Sequence, residues 1–508
     1  MMKIQPPDWP CAVVRDLARD RVTQIWIVGG AVRDLIMRRP VRDWDFAVDG
    51  DALGLARAVG DALGGAFFPL DEERETARVV LQTDGQSPLA LDFALLRGDD
   101  LEADLADRDF SINAMALGQG DTLIDPLDGQ SDLRRGEIRA TSQHAFVSDP
   151  VRLLRATRLE RELGLTIEPE TEGWIRRDAP LLSQSAAERL RDELARGVTV
   201  DGASRFVERL EDLNLLVHVV PELDSLKGVT QSHPHRLDVW QHTLTVMDTL
   251  EAVVASIAGE PGRGNSGRSF DIPPGVWADV PRALHQFSEE LRNHLGVIVS
   301  GDRDRGLLLK LGALLHDIGK PQTRCEGDEG RIHFYHHDSI GARMAAARMR
   351  ALRFSRSEVQ RVATMVRGHM RPAHLARAEK ATRRAIFRYF RDTGDAGVET
   401  VLLSLADHLA TWGPNLDEQR WLRRLEVAEL LLHHYFERRL ETVDPRLPVD
   451  GNDLMSALDL EPGPEIGLLL DALREAVAAG EIDTRREALD LAGRLVEQME
   501  PTASHVSR

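Results

Sequence analysis

The chain has few cysteines and no long apolar run. Only Cys11 and Cys325 are present among its 508 residues, which leaves no disulfide framework and no cysteine metal site. No stretch approaches about 18 uninterrupted apolar residues, and the first residues contain no apolar signal region. We therefore expect a protein that has no membrane-spanning segment, is not exported and works in the reducing cytoplasm.

Positive charge is scarce as well. The 64 lysines and arginines are outnumbered by 83 aspartates and glutamates, and the formal net charge is −19. At face value this balance argues against a nucleic-acid partner. Phosphate groups need only a locally positive surface, however, and arginine is dense in residues 152–196 and 343–391. The distribution of charge over the surface, rather than its total, therefore decides whether the protein can bind nucleic acid.

Length and periodicity divide the chain into a mixed N-terminal part and a helical remainder. Its length exceeds what one hydrophobic core organises, so we expect roughly two to four domains. Short β-like runs alternate with helical segments in the first part, and helical spacing dominates afterwards. The predicted fold class is therefore α+β, with a small α/β head. The predicted boundaries are 21–148 for the head, 149–225 for a helical neck, 226–441 for a second helical domain and 442–508 for a helical tail.

A glycine pair follows the first predicted strand of the head. Ile25–Val28 is rich in β-branched and aromatic residues, and Gly29 and Gly30 separate it from a predicted helix that carries Arg33. Glycines allow the backbone to turn tightly and to approach phosphates, and helix N-termini attract anions. The pattern predicts a triphosphate-binding site formed by backbone amides and the guanidinium of Arg33.

Two aspartates follow on the next predicted strand. Because side chains alternate along a strand, Asp43 and Asp45 share one face, while Trp44, Phe46 and Val48 share the other and point into the core. Same-face positions lie roughly 7 Å apart along the backbone, which lets two carboxylates converge on a pair of divalent ions. This arrangement is typical of a two-metal phosphoryl-transfer site.

Each of these patterns alone is more often structural. A strand–glycine–helix turn is usually a fold element, and an Asp-x-Asp strand end is usually a solvated edge. Their occurrence within about 20 residues favours the phosphoryl-transfer hypothesis. A further carboxylate, Asp92, lies on the strand-like run 89–94 opposite to its apolar residues, and either approaches the same ions or is structural.

Two more motifs complete a known set. The first is Arg108-Asp109-Phe110 followed by Ser-Ile-Asn-Ala-Met-Ala, and the second runs from Asp149 through Arg152 and Arg155. With the head motifs, they make the chain resemble the class II tRNA nucleotidyltransferase and poly(A) polymerase family, most closely the CCA-adding enzymes that carry an HD domain. The resemblance implies template-independent addition of C and A to tRNA 3′ ends from CTP and ATP, with Mg²⁺ held by the head aspartates.

The resemblance also implies roles for individual residues. Arg108 and Asp109 would contact the incoming nucleotide and its ribose, and Arg155 would face the triphosphate. Asp149 and Arg152 match the amino-acid template that reads the base, with Ser148 where the family usually has glutamate. On a helix these two residues occupy positions i and i+3 and so share a face, as joint base reading requires.

Histidines and aspartates recur through the second helical domain. An isolated histidine on a helix is usually a satisfied polar residue, but this ordered series makes a nitrogen and oxygen site suited to divalent first-row metals. It resembles the HD phosphohydrolase superfamily, which implies a divalent transition metal and hydrolysis of phosphate esters. The matched ligands are His242, His316, Asp317, His337, His369 and Asp407.

Three functional hypotheses follow. The leading one is a CCA-adding tRNA nucleotidyltransferase with an additional HD phosphohydrolase activity. The second is partial or altered addition: CC only, A only, or poly(A) synthesis. The third is a metal-dependent phosphohydrolase whose head only binds RNA, although a binding module has no need of the paired carboxylates Asp43 and Asp45.

Overall fold

A computed structural model describes residues 8–19, 21–41, 43–82, 88–260, 272–378 and 380–499. The chain forms two compact units. The first comprises Met1–Glu193 with Arg209–Val219, and the second comprises Leu194–Glu208 with Val220–Arg508.

The first unit contains a seven-stranded mixed sheet with the order β3-β4-β5-β2-β1-β6-β7. Strands β2 and β5 are parallel, and the other neighbours are antiparallel. The strands are β1 (Val22–Val28), β2 (Asp43–Gly50), β3 (Ala66–Asp71), β4 (Thr76–Leu81), β5 (Leu89–Leu95), β6 (Ala116–Leu117) and β7 (Leu123–Ile124). A two-stranded parallel pair, β8 (Glu137–Ile138) and β9 (Thr166–Ile167), lies outside this sheet.

Helices surround the sheet and continue along the chain. They are α1 (Asp8–Ala18), α2 (Gly30–Ile36), α3 (Ala52–Leu63), α4 (Leu101–Ala106), α5 (Gly129–Arg135), α6 (Ala145–Ser148), α7 (Arg152–Leu163), α8 (Pro169–Asp178), α9 (Ala187–Thr199), α10 (Ala203–Asp212) and α11 (Leu216–Val219). Helix α3 begins after Asp51, whose side chain accepts a hydrogen bond from Gly54 N, and ends at Gly64 in the left-handed conformation.

The alternation of β2 separates the polar and apolar faces as expected. Trp44, Phe46 and Val48 are buried in the main head core, which also contains residues of α1 and α3. Asp43 and Asp45 lie on the other face, where Ala47 joins a smaller cluster. The same pleat that buries their neighbours therefore keeps both aspartates out of the main head core, with Asp43 exposed and Asp45 partly buried.

The second unit is helical apart from two short hairpins. Its strands are β10 (Ile298–Ser300), β11 (Arg303–Asp304), β12 (Arg324–Glu326) and β13 (Ile332–Phe334). Its further helices are α12 (Val239–Ile257), α13 (Pro274–Leu284), α14 (Ser288–Leu295), α15 (Arg305–Leu315), α16 (Lys320–Thr323), α17 (His337–Ala351), α18 (Arg356–Gly368), α19 (Arg371–Arg377), α20 (Arg383–Thr393), α21 (Ala396–Trp412), α22 (Glu418–Phe436), α23 (Gly451–Leu458), α24 (Pro464–Ala479) and α25 (Arg485–Met499). Leu454, Leu469 and Leu473 form part of a separate small core among the last three helices.

Most elements of the sequence-based prediction are present. The α+β class is confirmed, and the β-like runs of the head, residues 25–28, 44–48, 66–69, 78–81 and 90–95, each form a strand that is one to three residues longer. The neck predicted as helical, residues 149–225, also contains β9, because a two-residue strand leaves no periodic signal in the sequence. Among the described helices, none is both long and apolar enough to cross a membrane. The predicted domain boundaries remain predictions.

Candidate functional site

The turn after β1 is built around Gly29. Its φ of +73° lies in the left-handed region that favours glycine, and it directly precedes α2. A Cβ atom at this position would lie 2.9 Å from Arg108 Nη1 and 3.2 Å from Asp45 Oδ2. Gly29 thus provides both the turn and the space in which Arg108 and Asp45 approach each other.

The carboxylates of β2 and β5 gather at this turn. Strand pairing sets Asp45 directly beside Asp92, and Arg78 of β4 forms two hydrogen bonds of 2.7 Å with Asp92. Burial, together with the charges of Asp92 and Asp43, raises the pKa of Asp45 to about 7, although the Arg108 charge opposes the shift. A cation would relieve this repulsion, and carboxylate oxygens are the ligands that Mg²⁺ prefers. Asp43 and Asp45 therefore fit the expected Mg²⁺, while Asp92 has a structural partner.

Asn113 connects three of the predicted nucleotide-binding residues. Arg33 is buried and donates through Nη1 to Asn113 Oδ1 at 2.8 Å, and Asn113 Nδ2 donates to Asp109 Oδ1 at 3.0 Å. Arg155 Nη1 donates to Asp109 Oδ2 at 3.1 Å. Arg33, Asp109 and Arg155 are thus one hydrogen-bonded chain. Sequence analysis did not single out Asn113, although it lies four residues after Asp109 in the same motif.

Glu193 of α9 extends this chain on the other side. It accepts from Arg155 Nε at 3.0 Å and from Arg158 Nε at 2.8 Å, and it is buried. Burial alone would raise the pKa of Asp109, but the Arg155 charge and the hydrogen bonds from Asn113, Arg155 and its neighbour Phe110 lower it. Asp109 is therefore ionised and held in place, as an acceptor must be.

Arg152 is anchored on the backbone. The side chain is 7% exposed, and Nη2 donates to the Asp107 carbonyl at 2.7 Å, whereas Nη1 donates to the carbonyls of Arg108 at 3.2 Å and Ala145 at 3.3 Å. These bonds hold Arg152 beside the Arg108–Asp109 segment. Arg108 itself donates through Nε and Nη2 to Asp104.

The prediction that Asp149 and Arg152 share a helix needs correction. Helix α7 begins at Arg152, and Asp149 is extended, with φ −148° and ψ 94°. The following Pro150 explains this, since proline disfavours the helical conformation of the preceding residue. The two side chains still approach, with Arg152 Nε 3.9 Å from Asp149 Oδ2. Arg189 of α9, absent from the sequence analysis, forms two hydrogen bonds of 2.9 and 2.7 Å with Asp149.

The second unit brings all six predicted HD ligands together around Asp317. His242 Nε2 lies 3.0 Å from Asp407 Oδ1 and 3.6 Å from Asp317 Oδ2. Helix α12, capped by Asp238, carries His242 in its first turn. The Nε2 atoms of three more histidines lie at 3.1 Å (His316), 3.5 Å (His337) and 3.9 Å (His369) from Asp317 oxygens. Two ligand groups result, each with its atoms within 4.8 Å of one another: His242, His316 and Asp317, and Asp317, His337 and His369.

The backbone orients the imidazoles. Nδ1 of His316, His337 and His369 lies 2.7 to 2.8 Å from the carbonyl three residues earlier, and a carbonyl can only accept. His316 and His369 also sit at helix C-termini, so these bonds satisfy carbonyls that the helix leaves free. Each Nε2 is left to face Asp317, and hydrogen bonds of this kind from the other ring nitrogen orient histidines that bind metals.

The polar atoms of this cluster fit a metal ion. His316 Nε2 and both oxygens of Asp317 are buried without a hydrogen-bond partner among the described residues. Because Nδ1 of His316, His337 and His369 donates to a carbonyl, each neutral imidazole presents an acceptor Nε2 to the Asp317 carboxylate. A metal cation between these acceptors would satisfy them together. The donor set of imidazole nitrogens and carboxylate oxygens suits a divalent transition metal.

Three other polar residues border the cluster. Lys320 is buried, and its Nζ lies 2.7 Å from Asp317 Oδ2 and 2.6 Å from Gln231 Oε1. His235 packs edge-on against His242, with ring centroids 5.0 Å apart, and burial lowers its pKa to about 3. Lys320 follows the His316-Asp317 pair in the same short run of sequence, whereas Gln231 and His235 precede α12 without a recognisable motif and were not predicted.

Comparisons with known proteins agree with this architecture. Four family profiles match the poly(A) polymerase head domain at residues 25–139, the RNA- and SrmB-binding site of polymerase A at 164–227, the HD domain at 281–412 and domain 2 of tRNA nucleotidyltransferases at 420–492. The HD match begins after His242, which α12 nevertheless brings to the cluster.

Relatives match along nearly the whole chain. An A-adding tRNA nucleotidyltransferase of Deinococcus radiodurans is 35% identical over 93% of this chain and 95% of its own length. A CC-adding tRNA nucleotidyltransferase of Thermus thermophilus is 33% identical over 91% of each chain. The fold is similar to that of a CCA-adding enzyme solved with CTP, with a TM-score of 0.58 and 19% identity over 96% of this chain and 95% of that one.

The head and its matches define the class as nucleotidyltransferases, so the protein is an enzyme. Within that class, the chain belongs to the tRNA nucleotidyltransferase family, as its motifs suggested.

Proposed function

We propose that the protein is a CCA-adding enzyme that builds or repairs the 3′ end of tRNA from CTP and ATP. The observation that carries this proposal is that the side chains of Asp45 and Arg108 both lie against Gly29. The hydrogen-bonded pair Asp109–Arg155 follows Arg108 directly. A site for metal-bound phosphates and a site for ribose and base thus adjoin in one unit. The nucleotide in the related CTP-bound enzyme supports the substrate class.

In this proposal each group has one task. Asp43 and Asp45 would hold Mg²⁺, which when bound neutralises phosphate charge and activates the primer 3′-hydroxyl. Arg33 and Arg155 would present positive charge to the triphosphate, and Gly29 and Gly30 would leave backbone room for it. Asp109 would accept a hydrogen bond from the ribose 2′-hydroxyl, which distinguishes ribonucleotides from deoxynucleotides.

Base choice would rest on Asp149 and Arg152. Their carboxylate and guanidinium offer complementary acceptors and donors to the edges of C and A. Arg152 would keep its place through the backbone carbonyls it already binds, which compensates for Ser148 where the family usually has glutamate.

A second candidate is partial activity. Relatives that align over more than 90% of the chain are named as A-adding or CC-adding enzymes. Purified protein with Mg²⁺ should be given tRNAs ending before CCA, at CC and at CCA, with CTP, ATP or both, and the 3′ ends sequenced. Ordered C, C, A addition that stops supports the CCA-adding proposal. CC only, A only or a long A tail reassigns the specificity, and no addition in any reaction refutes the proposal.

We also propose that the HD cluster is a metal-dependent phosphohydrolase site. His316 Nε2 and Asp317 Oδ1, buried and without a hydrogen-bond partner among the described residues, support it. Lys320 would exchange its present contacts with Asp317 and Gln231 for a phosphate oxygen. A bound divalent metal would supply an activated water. Hydrolysis adds that water across one P–O bond, and the released ester oxygen takes up a proton. Release of phosphate or ring opening of 2′,3′-cyclic nucleotides with Mn²⁺, Co²⁺ or Ni²⁺ tests this, and no hydrolysis with any of them refutes it.

A further inference from the structure

An exposed tyrosine, stacked on a half-buried histidine, lies two residues from a predicted ligand of the HD cluster. Tyr335 is 64% exposed, whereas large apolar residues in this unit are mostly buried. Its ring stacks on that of His333, with centroids 5.3 Å apart and planes within 10°. Stacking holds the tyrosine ring in one orientation while its other surroundings remain open to solvent. An exposed, flat ring of this kind can stack with another planar group, such as a nucleobase.

The backbone fixes this pair close to the metal ligands. Tyr335 precedes the ligand His337 by two residues, so their Cα atoms are at most about 7.6 Å apart. His336 between them has φ +62°, a left-handed conformation that non-glycine residues rarely adopt. This reversal leaves Tyr335 exposed while His337 is buried at the cluster. Backbone strain of this kind persists where surrounding structure enforces it.

The hairpin that carries the pair is tied to the cluster at two further points. Lys320 Nζ, which contacts Asp317, lies 5.5 Å from the centroid of the Phe334 ring. Ile332 N donates to Ser232 Oγ at 2.7 Å, in the segment that leads to α12 and His242. These two contacts hold β13, which leads directly into Tyr335, next to Lys320 and to the segment before α12.

We propose that Tyr335, supported by His333, is the nucleobase subsite of the HD cluster, and that the substrate is a nucleotide or the terminal nucleotide of an RNA. This inference rests on the proposed phosphohydrolase function. The phosphate meets the metal ligands and Lys320, and the base stacks on the tyrosine ring. Because every base has a π face, the subsite favours nucleotides over base-free phosphate esters with little preference among bases.

The first test compares substrates with and without a base. Adenosine 2′,3′-cyclic phosphate, methyl riboside 2′,3′-cyclic phosphate and a short RNA with a cyclic 3′ end are assayed with metal-loaded full-length protein. Tyr335→Ala should lower the ratio of kcat/KM between nucleotide and base-free substrate by roughly 5- to 100-fold, mainly through KM. Tyr335→Phe, which keeps the ring, should retain the ratio. Leu440→Ala, which removes another exposed apolar side chain of the same unit, should not change it.

The second test reports binding without turnover. The chain has three tyrosines, and Tyr389 and Tyr435 are buried, so 3-fluorotyrosine labelling gives few ¹⁹F resonances and Tyr335→Phe assigns one. Adenosine 3′-monophosphate should shift the Tyr335 resonance, whereas inorganic phosphate should shift it much less.

The outcomes separate the two proposals. A Tyr335 shift without hydrolysis by the wild type refutes the phosphohydrolase function and leaves a nucleotide-binding site. Hydrolysis without a Tyr335 shift, or with equal losses on both substrates in Tyr335→Ala, refutes the subsite. A larger effect on the RNA than on the mononucleotide identifies the RNA terminus as the substrate, and the reverse identifies the free nucleotide.

Discussion

Replacing Arg152 tests whether one guanidinium both supports the head and selects the base. Arg152→Ala removes three hydrogen bonds, but only some of the three carbonyl acceptors have a second hydrogen-bond donor. The Arg108 carbonyl also accepts from Thr141 Oγ1, and the Ala145 carbonyl also accepts from Asp149 N. The Asp107 carbonyl, 2.7 Å from Nη2, therefore carries the largest loss. A charge-assisted bond contributes about 1.5–3 kcal/mol, so with the lost packing we expect about 2–4 kcal/mol of local destabilisation.

Arg189→Ala is the matched control. It removes two hydrogen bonds of similar length to Asp149, but its side chain is 51% exposed. An exposed pair contributes less than about 1 kcal/mol. Because the chain forms two units, global unfolding need not be two-state, and hydrogen exchange of the peptides around residues 107–112 and 152–163 gives the local stability of each variant.

The same variants are assayed for nucleotide choice. Arg152→Ala should change the ratio of ATP to CTP incorporation more than it changes the dissociation constant for tRNA, since Arg152 would act on the incoming base. A loss of local stability as small as that of Arg189→Ala would contradict the anchoring argument. An unchanged incorporation ratio would remove Arg152 from the template whatever its stability effect.

Three other perturbations address separate parts of the molecule. Asp43→Ala or Asp45→Ala should abolish nucleotide addition and spare hydrolysis by the HD cluster, and equal loss of both activities would contradict two separate sites. His369→Ala should lower the content of bound transition metal measured by mass spectrometry and reduce hydrolysis at least 10-fold, a loss typical of a missing ligand; full metal retention would exclude it as a ligand. Burial would raise the pKa of Glu193, but the charges of Arg158 and Arg155 lower this pKa below its ordinary value of 4.5. The ionised Glu193 side chain therefore stabilises the fold fully above pH 4.5, and this stabilisation is lost as the pH falls through the folded-state pKa. Glu193→Gln should therefore flatten the acid side of the stability curve of the first unit, and an unchanged acid slope would contradict the ion-pair assignment.

The parts of the site that could be predicted are those with a local signal. The alternation around Asp43 and Asp45 follows from the two-residue period of a strand, and the structure places Trp44 and Phe46 in the core as that period requires. The histidine series could be found because its members recur in order, with aspartates, along a stretch of helical sequence. Their convergence on Asp317 needed the resemblance, since sequence spacing across 165 residues does not fix a distance.

The parts that could not be predicted are long-range partners. Glu193 and Arg189 lie on α9, and their partners Arg155 and Asp149 are about 40 residues earlier without a shared motif. Charged residues on a helix such as α9 usually form its solvated face, so nothing marks these two. The backbone position of Asp149, in contrast, could have been predicted. Pro150 disfavours the helical conformation of the residue before it, which places Asp149 outside α7.

The structure also changes how the arginine-rich stretches should be understood. Those of residues 152–196 are largely committed to carboxylates, as the ion pairs of Arg155, Arg158, Arg176, Arg177 and Arg189 show. The same is true of Arg371, Arg384, Arg388 and Arg391 in the second stretch. A tRNA phosphate that binds any of these arginines meets a guanidinium whose charge a neighbouring carboxylate already balances, and it uses the N–H donors that remain or displaces the carboxylate. In either case the attraction is weaker than to an unpaired cation, so dense arginine in a chain with a net charge of −19 does not by itself indicate a general affinity for nucleic acid.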